Sequence, residues 1–109
     1  MTRSILSSQV DTIILACEAG MGSSLMSVNS LRKKLKKADI TRVQVVHKAA
    51  REIPGDAKLV VVHKGLRKVV QGKAPDAIIV TFNHFINDPA FEQLVEAFKE
   101  DREIFDTQG

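Results

Sequence analysis

Short apolar runs alternate with segments of helical spacing along this chain. Residues 12–16 (TIILA) are rich in β-branched side chains and end at Cys17, which predicts a buried strand. Residues 18–23 (EAGMGS) read as a glycine-containing turn. From about residue 24 to residue 38, Leu25, Val28, Leu31 and Leu35 recur at helical spacing, and Arg32, Lys33, Lys34, Lys36 and Lys37 occupy the opposite face. Residues 42–47 (RVQVVH) predict a second strand, Pro54-Gly55-Asp56 a turn, and residues 58–62 (KLVVV) a third strand ending at His63. Residues 65–71 predict a short helix with Gly72 as its C-terminal cap. Pro75-Asp76 turns the chain into a fourth strand over residues 77–81 (AIIVT). Asn87 or Asp88 caps a last helix with Pro89 in its first turn, running to about Phe105 with Phe91, Leu94, Val95 and Phe98 on its apolar face.

Strands apolar on both faces, joined by helical crossovers, imply an α/β fold with a parallel sheet and helices on each side. Ligands of such sheets bind beyond the carboxyl ends of the strands. Cys17, His63 and residues 82–87 all fall at that edge. Residues 11–105 read as one domain, residues 1–10 as a polar leader or linker, and residues 106–109 as a tail.

The chain has 109 residues, 44% hydrophobic and 27% charged, which fits one small globular domain. A net charge of +3, with five Phe and neither Trp nor Tyr, is weak support for nucleic-acid binding, and none is expected of this domain. The single cysteine excludes an internal disulfide, fits a reducing compartment and leaves a thiol to explain. No secretory signal is visible, and no apolar stretch approaches the ~20 residues that span a bilayer. A cytoplasmic domain is expected, one that can also belong to a longer membrane-bound chain.

The chemistry centres on Cys17. It ends a strand and opens the loop Glu18-Ala19-Gly20-Met21-Gly22-Ser23-Ser24, which leads into a helix. Gly20 and Gly22 permit backbone angles that gather N–H groups on one side of a concavity, and the helix N-terminus adds partial positive charge. Such a nest suits a phosphate, and Ser23 and Ser24 can add hydroxyl donors. The same field favours thiolate over thiol, since a cysteine at a helix N-terminus can fall well below its usual pKa of ~8.5. The loop has neither the lysine of a P-loop nor the glycine spacing of a dinucleotide site. The alternative for a lone cysteine is a buried, inert packing residue.

The run Leu15-Ala16-Cys17-Glu18-Ala19-Gly20-Met21-Gly22-Ser23-Ser24 resembles the active-site loop of the mannitol-type enzyme IIB family of the bacterial sugar phosphotransferase system. The resemblance continues through residues 31–38, 62–64, 73–75 and 80–95, covering about residues 12–98. It implies a four-stranded parallel sheet in order 2-1-3-4 within a three-layer α/β/α sandwich, similar to low-molecular-weight tyrosine phosphatases. It implies a phosphotransferase that needs no cofactor or metal. Enzyme IIA would donate a phosphoryl group from a phosphohistidine to Cys17, with residues 18–24 as the cradle. Cys17 would pass it to a sugar or sugar alcohol, mannitol-like, held by membrane enzyme IIC, which would bring the domain to the inner face of the membrane. Glu18 stands where many mannitol proteins carry Asp; Gly65, Arg67, Lys68 and residues 82–85 also depart from the usual pattern.

Other residues admit two readings. His63 could stabilise the phosphorylated loop or assist docking, or be a strand-end residue bonded to backbone. His47 and His84 lack metal-ligand spacing with Cys17 or with each other. The basic face of residues 32–37 is a solvated helix face or a docking surface for acidic patches. Met26 reads as packing, and Met21 as either a loop anchor or an apolar contact for a partner.

Rival functions differ in one residue or in context. A tyrosine phosphatase needs an arginine six residues after its cysteine to clamp the phosphate, and that position is Ser23. Asp88-Pro89 matches the general acid of such enzymes only superficially. IIB-like domains also occur as phosphorylation-sensing modules of transcription regulators. A thiol redox protein would need a second cysteine.

Overall fold

The computed structural model describes residues 4–17, 22–83 and 89–106. The elements run β1 (Ser4–Leu6), β2 (Thr12–Cys17), α1 (Gly22–Lys37), β3 (Gln44–Ala49), β4 (Leu59–His63), α2 (Arg67–Lys73), β5 (Ile78–Phe82), α3 (Pro89–Lys99) and β6 (Glu103–Phe105). Four strands form a parallel sheet in the order β3-β2-β4-β5, the 2-1-3-4 order expected when only these four are counted.

The sheet is apolar on both faces because alternate residues of each strand enter two separate cores. Ile13, Leu15, Leu59, Val61, Ile78 and Val80 pack beneath α1 and α3, with Val28, Leu31, Phe91 and Leu94. Ile14, Ala16, Val60, Val62 and Ile79 face the other way, onto Val70 of α2 and Ala50 and Ile53 of the 3-10 turn after β3. The result is a three-layer α/β/α sandwich. No helix among the described residues is long and apolar enough to cross a membrane.

Strand β2 starts at Thr12 as expected, whereas β3, β4 and β5 start one or two residues later than the apolar runs suggest. In β3 the cause is Arg42, which leaves the ladder to donate to the carbonyls of Val10 (2.9 Å) and Ser7 (3.1 Å) and lies over the Phe98 ring. Pairing begins at Gln44, opposite Thr12.

Three helix ends differ from expectation. Helix α1 begins at Gly22 rather than residue 24. Gly72 does not cap α2; it lies inside the helix, which ends at Lys73 with Ala74 as its C-cap, the Ala74 amide donating to Val70 at 2.8 Å. Helix α3 stops at Lys99 instead of continuing to about Phe105. Asp101 takes a left-handed conformation (φ 54°) and the Arg102 amide donates to Ala97 at 2.9 Å, which turns the chain out of the helix. Residues 103–105 then pair as β6, antiparallel to β1, with Ile5 opposite Ile104. Ser4–Leu6, within the stretch read from sequence as a leader, thus joins a ribbon whose inner side closes the α3 core.

Candidate functional site

Cys17 is the last residue of β2, which sits inside the sheet between β3 and β4. Its register partner on β3 is Ala49. One residue earlier, Ala16 is level with Val62 of β4, so His63 follows at the same edge, and His63 is in turn level with Phe82 of β5. The carboxyl ends of four strands therefore bring Cys17, Ala49, His63 and Phe82 into one line.

Four residues, 18–21, separate Cys17 from α1, which starts at Gly22. This sixteen-residue helix is about 24 Å long at 1.5 Å per residue. It has no acidic residue in its first turn and carries Lys34, Lys36 and Lys37 in its last. The first turn thus adds no negative charge at the positive end of the helix dipole, and the lysines balance the negative end. Since α1 returns alongside the sheet to feed β3, its terminal lysines lie at the edge opposite Cys17. Within the basic face, Arg32 donates twice to the Val45 carbonyl (2.7 and 3.2 Å) and Lys34 pairs with Glu92 at 3.2 Å.

Of the site residues expected from sequence, Glu18, Ala19, Gly20 and Met21 lie outside the described residues, as do the side chains of Cys17, Gly22, Ser23 and Ser24. His84, Asn87 and Asp88 also lie outside them, and with them the expected helix cap. Met26, read as packing, is 51% exposed on the second turn of α1, because its neighbour Ser27 takes the inward position.

His63 is half-buried and caps the 3-10 turn Lys64–Leu66, its Nδ1 accepting the Gly65 amide at 3.2 Å. An accepting Nδ1 carries no proton, so in the neutral ring the proton sits on Nε2 and that nitrogen is a donor. The ring meets the edge of Phe82, centroids 5.7 Å apart, and Phe82 is backed by Phe91 at 5.1 Å. A β-carbon on Gly65 would sit 3.4 Å from His63 Nδ1, in close van der Waals contact with the imidazole.

Two residues with a bearing on this edge take no role from the sequence: Arg67 stands out only as a departure from the family pattern, and Asp106 reads as part of the tail. Asp106, the last described residue, is buried, accepting the Ile79 amide (2.9 Å) and an Arg67 guanidinium N–H (2.8 Å). Arg67 starts α2 and directly follows the turn that His63 caps. A groove of about 410 Å³ between α3 and β6, lined by Thr81, Asn83, Gln93 and Phe105 among others, includes no residue of β2.

Comparison with known proteins agrees with this layout. The family described as "PTS system, Lactose/Cellobiose specific IIB subunit" matches residues 12–97, from the start of β2 to the last turn of α3. The chain is 41% identical over 96 residues to the PTS system mannitol-specific EIICB component of Staphylococcus haemolyticus, covering 88% of this chain and 18% of that protein. It is 40% identical over 94 residues to the component of the same name from Staphylococcus carnosus (86% and 18%) and 40% over 90 residues to that of Bacillus subtilis (83% and 19%). The chain spans about a fifth of the length of these curated relatives. With a parallel sheet in the expected order and Cys17 at its carboxyl edge, the match over residues 12–97 shows that the chain belongs to the IIB family of the sugar phosphotransferase system.

Proposed function

We propose that this domain is a phosphoryl carrier, and that Cys17 is the atom-level site of carriage. The observation that supports this most is the placement of Cys17 at the end of β2, five residues before the start of a long helix whose first turn holds no acidic residue. That position favours a thiolate and a bound anion together. Residues 18–24 form the cradle in this reading, their amides donating to the phosphoryl oxygens.

The transfer is a pair of displacements at phosphorus. The Cys17 thiolate attacks a phosphohistidine of enzyme IIA; the P–N bond breaks as the S–P bond forms, and the imidazole leaves with the electron pair. A hydroxyl of the sugar then attacks the same phosphorus, the S–P bond breaks, the thiolate is restored and the hydroxyl proton is released. Such transfers depend on positioning and charge stabilisation, which amides and a helix terminus supply. Ser23 stands where a hydrolytic phosphatase needs arginine, which favours carriage over hydrolysis.

The relatives are named mannitol-specific EIICB components, which supports a IIC membrane partner and a mannitol-like sugar alcohol as final acceptor. In that setting the domain works at the cytoplasmic face of the membrane. The test is transfer from a phosphorylated IIA protein to wild-type and Cys17→Ser chains. The serine variant keeps its fold and takes up no phosphoryl group, because a hydroxyl is a far poorer nucleophile at neutral pH. Equal uptake by the two chains would overturn the reading.

A further inference from the structure

We infer that Asp106 is a positioning residue for His63, acting through Arg67 at the start of α2. This rests on the carrier reading of the edge where Cys17 and His63 lie, and it adds a residue outside the stretch 12–97 that matches the family.

The link is a series of hydrogen bonds joined through the side chain of Arg67 and the backbone of the turn. Asp106 uses both carboxylate oxygens: Oδ2 accepts the Ile79 amide at 2.9 Å, which fixes the carboxylate to β5, and Oδ1 accepts from Arg67 at 2.8 Å. The Asp106 side chain is 3% exposed and that of Arg67 18%. A carboxylate so buried persists only with both oxygens satisfied, so the pair is held in a single arrangement rather than exchanging with water. Arg67 is also the C-cap of the 3-10 turn, its amide donating to the Lys64 carbonyl. That turn spans Lys64–Leu66, and its Gly65 amide donates to His63 Nδ1. The guanidinium anchor therefore sets the height of the turn, and the turn sets which imidazole nitrogen carries a proton and where the ring stands. Phe82 supports the ring from the other side, and Phe82 and Ile79 belong to the same strand. These two supports of His63 thus converge on β5 and on the residue bound to it.

The carboxylate is a purpose-suited anchor here. Asparagine could still accept from Ile79 but would give up the charge-assisted bond to Arg67. Arg67→Gln makes the complementary change, leaving the Asp106–Ile79 bond in place.

The test uses the whole chain and two readouts. The first is the imidazole 1H–15N correlation spectrum, which reports the protonated nitrogen of His63. In wild type we expect the Nε2–H tautomer; in Asp106→Asn and in Arg67→Gln we expect the His63 signals to shift toward a mixture of tautomers and to broaden. The second is the rate of phosphoryl transfer to Cys17. We expect Asp106→Asn to slow it about tenfold, and to cause no further loss in a His63→Ala background. Unchanged His63 signals in both variants, or an equal loss with and without His63, would overturn the inference and leave Asp106 as a purely structural anchor. If Asp106→Asn does not fold, Arg67→Gln carries both readouts. Failure of wild type to accept a phosphoryl group would instead sink the carrier reading, and the spectrum would still decide the role of Asp106.

Discussion

His63 and Phe82 are register partners across β4 and β5, and their rings meet edge to face at 83° with centroids 5.7 Å apart. Phe82 is fully buried and also packs on Phe91, so it joins the α3 core to the edge where Cys17 lies. Phe82→Leu keeps most of the volume and loses both ring contacts. It should cost about 1–2 kcal/mol, read as a lower urea midpoint. An unchanged midpoint would show that the ring contacts contribute nothing.

Gly72 is an exposed position inside α2, and a β-carbon there would meet no atom within 4 Å beyond its own helix. Its backbone is not in the left-handed region, so nothing requires glycine. Gly72→Ala should raise stability by about 0.5–1 kcal/mol by removing unfolded-state entropy. A lower melting temperature for this variant would mean that α2 needs its flexibility to pack.

Asp39 ends α1 in a Schellman turn, at φ 61°, with the Ile40 amide donating to Leu35 at 2.9 Å and the Asp39 amide to Lys36 at 3.1 Å. A side chain in this conformation is strained, and a carboxylate beside the negative end of a helix is unfavourable. Asp39→Gly removes both penalties and should stabilise the domain by roughly 1 kcal/mol. Loss of stability on this change would show that the carboxylate has a compensating role.

His47 Nε2 is buried with no hydrogen-bond partner among the described residues. His47 lies on β3 level with Leu15, beside an apolar core. Replacing one partnerless polar group by a hydrocarbon removes its desolvation cost. His47→Leu should therefore be neutral or stabilising by up to about 1 kcal/mol in chemical denaturation. A marked destabilisation would reveal a partner that the nitrogen needs.

The strands of the parallel sheet were legible because apolar runs such as residues 59–62 are buried on both faces. The position of Cys17 followed from the same signal, since the run before it has to end at a sheet edge. What escaped was set by contacts distant in sequence. The apolar face of α3 is legible at Phe91, Leu94, Val95 and Phe98, but the pattern places its end near Phe105; the left-handed Asp101 and a partner strand at Ser4–Leu6 end it at Lys99. Gly72 looked like a cap because glycine commonly is one, while Ala74 closes α2 in practice. Asp106 reads as one more polar tail residue, and its burial depends on Arg67 and Ile79, each far from it along the chain.

The most direct test of the account is intact-mass and peptide mass spectrometry after incubation with phosphoenolpyruvate and the phosphotransferase relay, including a IIA protein. The account predicts one phosphoryl group per chain, carried on the peptide that contains Cys17, bound through sulfur and lost on addition of the sugar acceptor with IIC. A phosphoryl group on a histidine such as His63 with Cys17 unmodified, or no adduct while the relay phosphorylates a known IIB domain, would contradict it.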